Sequence, residues 1–299
     1  MTEAVATHSP APTAPGDRGP MLEVEAVHKH FGGIQAVRGA SFAVKRGSIT
    51  ALIGPNGAGK TTLFNIVTGF YRPDSGRIVY DGRSIFGKQP HKIARQGMVR
   101  TFQITKALAA MPVIDNMMLA AADQPGERLP TLLTRPLAGR KREAAVRDRA
   151  MDLLGTFNLE AKADDYAGTL SGGQRKLLEL ARALMPEPRM VLLDEPMAGI
   201  NPTLGRRLLA HMEELRERDG VTFLFVEHDM DVVMNHSDEV VVMGQGETIL
   251  VGTPDEVRAD ERVIDAYLGG GAPSEAEAGR SGASAAAIRP PQEGPTDAR

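Results

Sequence analysis

The stretch GPNGAGKTT, Gly54 to Thr62, decides how the rest of the chain is read. It follows the apolar run TALI from Thr50 and leads into LFNIVTG, so a strand is predicted to enter it and a helix to leave it. Gly54, Gly57 and Gly59, with Pro55, Asn56 and Ala58 between them, let the backbone turn with its N–H groups pointing inward. The start of the following helix adds positive partial charge, and the two together bind polyphosphate. Lys60 is placed to reach the β and γ phosphates, and the hydroxyl of Thr61, with Thr62 beside it, to bind Mg²⁺.

Working outward, short apolar runs read as strands: LEVEAV from Leu22, SFAV from Ser41, MVLLDE from Met190, TFLFVEH from Thr222 and EVVVMG from Glu239. Several are continuous and not alternating, as in strands buried on both faces of a parallel sheet. Helical patterns separate them, among them KTTLFNIVTG from Lys60 and LGRRLLAHMEELRER from Leu204. Residues 105 to 170 break that rhythm with stretches such as GRKREAAVRDRAMDLL, which reads as a helical insertion in an α/β fold. The basic run GRKREAAVR at 139 to 147 carries interleaved acid and reads as a solvated helix face.

Composition narrows the class. The net charge of −3 argues against a dedicated nucleic-acid binder, which needs basic excess to neutralise phosphates. With no cysteine in the chain, disulfides, thiolate metal sites and cysteine nucleophiles are all excluded. No apolar run approaches the roughly 18 residues of a membrane span. The segment Ala107 to Ala122 is interrupted by Pro112, Asp115 and Asn116. The N-terminal stretch has neither a basic start nor an apolar core of a secretory signal, so a cytoplasmic location is expected, with any membrane role exercised through partners. Residues 1–20 and 270–299, rich in small residues, Pro and polar side chains, are expected to be disordered tails around a body at 21–269.

Two further motifs carry chemistry. In VLLDEP, Val191 to Pro196, an apolar strand ends in adjacent carboxylates, with Asp194 suited to the Mg²⁺ shell and Glu195 to a general base that activates water. In LSGGQ, Leu170 to Gln174, Ser171 is a good N-cap and Gly172 and Gly173 permit close backbone approach at a helix start, which makes a second anion site.

Taken together, these motifs and their order resemble those of the ATP-binding subunits of ABC transporters, over essentially all of residues 22–269. That resemblance implies a P-loop ABC-type nucleotide-binding domain with an antiparallel β edge and a helical subdomain at about 105–185. It implies ATP and Mg²⁺ as cofactors, and a second ATPase subunit, identical or not, packed head to tail. Ser171, Gly172, Gly173 and Gln174 then contact the nucleotide held by the partner's loop. Gln103 in RTFQ matches the glutamine that touches Mg²⁺ or water and reports the γ-phosphate to the membrane subunits. His228 in FLFVEHD matches the histidine that hydrogen-bonds the γ-phosphate, and Phe31 in HKHFGGIQAV matches the aromatic that stacks on adenine. As a residue alone, Phe31 also has a reading as a hydrophobic residue in an edge hairpin. Asn201 in AGIN stands where many of these cassettes carry Asp.

Within the family the chain is most similar to ATP-binding subunits of branched-chain amino acid importers. The marks are RTFQ, the long stretch from Gln103 to Leu170, AGINP, EHDMDVV at 227–233 and VIDAYLG from Val263. This resemblance implies two membrane permeases, an extracytoplasmic solute-binding protein and a place on the cytoplasmic face of the plasma membrane. Urea and amide importers and lipid exporters share part of the pattern, and soluble non-transport ABC ATPases share the core motifs.

Overall fold

The computed structural model describes residues 19–101, 108–121 and 136–268, without the side chains of 136–140, 267 and 268. Gln103 and nearly all of both tails lie outside the described residues.

The chain opens with β1 (Leu22–Phe31) and β2 (Ile34–Val44), followed by β3 (Ile49–Ile53), α1 (Lys60–Val67), β4 (Ser75–Tyr80) and β5 (Arg83–Ser84). Next come α2 (Pro90–Ala94), β6 (Met98–Arg100), α3 (Val113–Leu119), α4 (Pro136–Thr156) and, after two single 3₁₀ turns, α5 (Gly172–Leu184). The remainder is β7 (Met190–Asp194), α6 (Pro202–Asp219), β8 (Thr222–Val226), α7 (Met230–His236), β9 (Glu239–Gly244), β10 (Glu247–Gly252), α8 (Pro254–Ala259) and α9 (Glu261–Leu268).

Two sheets form. One is antiparallel, in the order β2-β1-β4-β5; the other runs β10-β9-β3-β8-β7-β6, parallel from β9 to β6 and edged by antiparallel β10. All residues of β3, β7 and β8 are buried, which explains why their sequences are apolar without alternation. The two faces still differ. Ile49, Ala51, Val191, Leu193, Phe223 and Phe225 pack on the helices of the insertion and on α6. Leu52, Met190, Leu192, Leu224 and Val226 pack with Leu63 and Phe64 of α1 and the inner face of the antiparallel sheet. The central sheet is therefore a middle layer with a helical layer on one side and a β layer on the other.

The strands missing from the sequence expectations, β4 to β6 and β10, are short or partly exposed, and β10 buries none of its residues fully. On α4, Lys141 to Ala145 are exposed and Val146 and Ala150 are buried, so the basic run is a solvated face. Asn116 at the start of α3 is fully buried, and its amide bonds the backbone of Leu108, Met111 and Pro112. Those contacts satisfy a polar group that burial would otherwise penalise and fix the entry to the helical layer.

Candidate nucleotide site

The register of the parallel sheet brings the chemistry together. Val226 is level with Leu52 on one side and with Asp194 on the other, so the segments that leave β3, β8 and β7 emerge side by side at the carboxyl edge. That edge is where open α/β sheets bind ligands. Its components are the loop from Gly54 to Lys60, the Glu227–His228 pair and Asp194–Glu195.

Gly59 adopts φ +95° immediately before α1, and a Cβ there would overlap the carbonyl oxygen of Ala36, so glycine is required. The helix that follows has neither a side-chain cap nor an acidic residue in its first turn, which leaves its positive end available to an anion. Asn56, Gly57 and Thr61 are exposed at this edge, while Lys60 is buried and donates to the carbonyls of Gly54 (2.6 Å) and Pro55 (3.0 Å). Burial pushes the Lys60 ammonium below its ordinary value, and the charges of Glu195 and Asp194 push it back up. A cation facing two carboxylates across an uncapped helix start fits a polyphosphate with a divalent cation.

Asp194 ends β7 with its carboxylate 97% buried, paired to Arg100 at 2.7 Å. Arg100 also donates to Asn65 of α1 at 2.6 Å, so one guanidinium ties β6, β7 and α1. Glu195 sits at φ +49°, uncommon for a residue with a Cβ, and its Oε1 lies 3.0 Å from Nε2 of His228. Glu227 is buried and accepts from the backbone N–H groups of Met197 (2.7 Å) and His228 (3.2 Å). Burial raises its pKa, and those two N–H donors hold the rise back.

Phe31 is half-exposed at the tip of β1, with Tyr71 edge-on at 5.2 Å and the Lys29 ammonium 5.3 Å from its ring centre. At the LSGGQ motif, Ser171 and Gln174 form a reciprocal capping box: the Gln174 N–H donates to Ser171 Oγ and the Ser171 N–H to Gln174 Oε1. The Gln174 side chain is thus already used within its own helix. The glycines differ from the expectation that both serve close approach to a ligand. A Cβ on Gly172 would meet open space, whereas one on Gly173 would overlap Leu204 of α6, so Gly173 is needed for packing inside the chain. Asn201 caps α6 by accepting from the Leu204 N–H at 2.9 Å, a role that Asp would fill equally well.

The motifs alone do not single out Arg100, Lys176, Glu227 or Tyr71. The signals were present: Arg100 opens RTFQ, Glu227 directly precedes the candidate histidine, and Lys176 is the lone lysine in the apolar helix behind LSGGQ. Their partners are distant in sequence, so only the fold reveals the contacts.

A glycine loop feeding a helix, a buried lysine and an acidic pair at the carboxyl edge of a parallel sheet define a P-loop ATPase. Residues 37–198 match the ABC transporter family, and residues 247–273 match the family of branched-chain amino acid ATP-binding cassette transporters. The chain is 43% identical over 250 residues to the high-affinity branched-chain amino acid transport ATP-binding protein BraF of Pseudomonas aeruginosa, covering 84% of this chain and 98% of that one. It is 40% identical over 251 residues to the probable branched-chain amino acid transport ATP-binding protein LivG of Archaeoglobus fulgidus, covering 83% and 95%. A crystal structure of the ADP conformation of an ATP-binding cassette of an ABC transporter superposes with TM-score 0.71 at 36% identity, covering 84% of this chain and 99% of that one. The chain belongs to the ABC transporter family as an ATP-binding subunit, and it hydrolyses ATP.

Proposed function

We propose that this chain drives an importer of branched-chain amino acids or similar small solutes, as one of two cassettes seated against two membrane permeases. The observation that carries the solute class is the match of residues 247–273 to the branched-chain amino acid cassettes; β10, α8 and α9 fall within 247–268. No helix among the described residues is long and apolar enough to cross a membrane, so translocation itself falls to the permeases, supplied by an extracytoplasmic solute-binding protein. The folded body spans 21–269, and its helical subdomain, about 105–185, meets the permeases at the cytoplasmic face.

Each residue then has a task. Phe31 stacks on adenine, and the loop from Gly54 to Thr62 turns its N–H groups to the phosphates. Thr61, Asp194 and Gln103 would hold Mg²⁺, which offsets phosphate charge when bound. Lys60, within the field of Asp194 and Glu195, leaves the Gly54 and Pro55 carbonyls for the phosphate oxygens. Glu195 takes the proton from the attacking water, and His228, 3.0 Å away, orients that carboxylate and donates to the γ-phosphate. Ser171 and Gly172 at the exposed start of α5 serve the partner's nucleotide, so ATP bridges the two cassettes and hydrolysis releases them.

The test is uptake by proteoliposomes holding this subunit, its permeases and its binding protein. Radiolabelled leucine should enter with internal ATP and fail to enter with E195Q. Uptake of urea or a short amide in place of leucine would refute the solute class, and recovery of the subunit in a soluble complex without permeases would refute the transporter reading.

A further inference from the structure

Behind LSGGQ, a turn into α5, Lys176 points back into the chain and not toward solvent. Its ammonium donates to the carbonyl oxygens of Glu195 (3.3 Å), Pro196 (3.2 Å) and Ala198. An ammonium has three N–H donors, and here three backbone acceptors in one turn surround it. The same turn is held from its other side by Glu227, which accepts the Met197 N–H at 2.7 Å. The Lys176 ammonium therefore grips its carbonyls and a carboxyl oxygen of Glu227 one of its N–H groups.

This turn contains Glu195 in its left-handed conformation at φ +49°, a strained geometry for a residue with a Cβ that persists only where the surroundings impose it. The Glu195 N–H donates to the Val226 carbonyl at 3.0 Å, and its carbonyl accepts from Lys176. Both ends of the residue's backbone are fixed, and its carboxylate is left to meet His228. Burial pushes the Lys176 ammonium below the ordinary lysine value while Glu227, Glu179 and Glu195 hold it up, so the cation is kept by the acids around it.

We propose that Lys176 is a positioning residue for ATP hydrolysis: it holds Glu195 in its strained conformation and links that residue rigidly to the exposed N-terminus of α5. The proposal rests on Glu195 acting as the general base. It has a mechanical consequence. Ser171 and Gly172 share a helix with Lys176, one turn apart, so any displacement of the start of α5 by a nucleotide reaches this chain's own Glu195 through a single side chain.

The experiment compares full-length wild type, K176M, K176R and E195Q by steady-state ATPase kinetics, by binding of a fluorescent ATP analogue and by thermal unfolding. K176M is expected to lose at least about tenfold in kcat, with KM and analogue affinity within about twofold of wild type. K176R, keeping the charge with a different donor geometry, is expected to recover part of that loss. A K176M kcat within about twofold of wild type, beside an inactive E195Q, overturns the role of Lys176 and leaves the general base intact. Wild-type turnover by E195Q overturns the general base itself. A K176M whose kcat, affinity and thermal midpoint all fall in step, or that does not fold while K176R matches wild type in kcat, marks Lys176 as a folding residue only and also overturns the proposal.

Discussion

Nε2 of His228 and Oε1 of Glu195 lie 3.0 Å apart, although the two residues leave different strands. The contact joins the acid of the LLDEP strand to the histidine two residues beyond β8, within a single chain. E195Q keeps the shape of the side chain and the loop that holds ATP, and it loses the ability to accept a proton. It should bind ATP normally, lose about 10²-fold or more in kcat and accumulate as a dimer in size-exclusion chromatography with ATP. Turnover at the wild-type rate would remove Glu195 from its role.

Arg100 and Asp194 are the most buried ion pair among the described residues, 2.7 Å apart with side chains 9% and 3% exposed. Removing one partner strands a buried charge, at a cost of about 3–5 kcal/mol. R100M should therefore unfold at lower temperature than wild type. A divalent cation at Asp194 would supply the missing positive charge, so ATP with Mg²⁺ should raise the R100M midpoint more than the wild-type midpoint, and chelation by EDTA should erase the difference. Equal shifts in the two proteins would place the cation elsewhere.

Much of this could be read from the sequence because the motifs are local. The loop Gly54 to Lys60, the Asp194–Glu195 pair and the Ser171 cap each lie within nine residues or fewer and at the end of a strongly patterned element. The fully buried strands were legible from their unbroken apolar runs, whereas β6 and β10 were not, since three or six half-buried residues carry no periodic signal. Arg100, Lys176 and Glu227 escaped notice for a different reason. Each is an ordinary charged residue whose meaning lies in partners such as Asp194, 94 positions away, or Met197, 30 positions away. The two LSGGQ glycines looked alike in sequence, and only Leu204 distinguishes them.

That distinction can be measured. A Cβ on Gly173 overlaps Leu204 Cδ2, while a Cβ on Gly172 meets nothing within 4 Å. G173A should destabilise by about 1–3 kcal/mol through overpacking, reduced somewhat by the better helix propensity of alanine. G172A should leave the unfolding midpoint unchanged or slightly higher and lower only ATP-dependent dimerisation. Chemical denaturation of both variants, with L204A added to relieve G173A, checks the pair; a destabilised G172A beside an unaffected G173A would contradict the packing.

Glu227 offers a pH-dependent test. Burial holds its pKa above the ordinary glutamate value of 4.5, against the pull of the Met197 and His228 N–H donors. The protonated form is thus the one favoured by folding. Its stabilising contribution is complete below the unfolded pKa and is lost as pH rises through the folded one. In E227Q the side chain stays neutral at every pH, so this loss does not occur. The amide also changes hydrogen bonding to Met197 and His228, which shifts stability by a constant amount. The slope is therefore diagnostic: in urea unfolding, the stability of E227Q relative to wild type should climb as pH rises from about 4.5 and then level off once Glu227 is ionised in the folded chain. A flat relative stability would mean that the N–H donors cancel the effect of burial, and one that falls over the same range would mean that they outweigh it and hold Glu227 as a carboxylate.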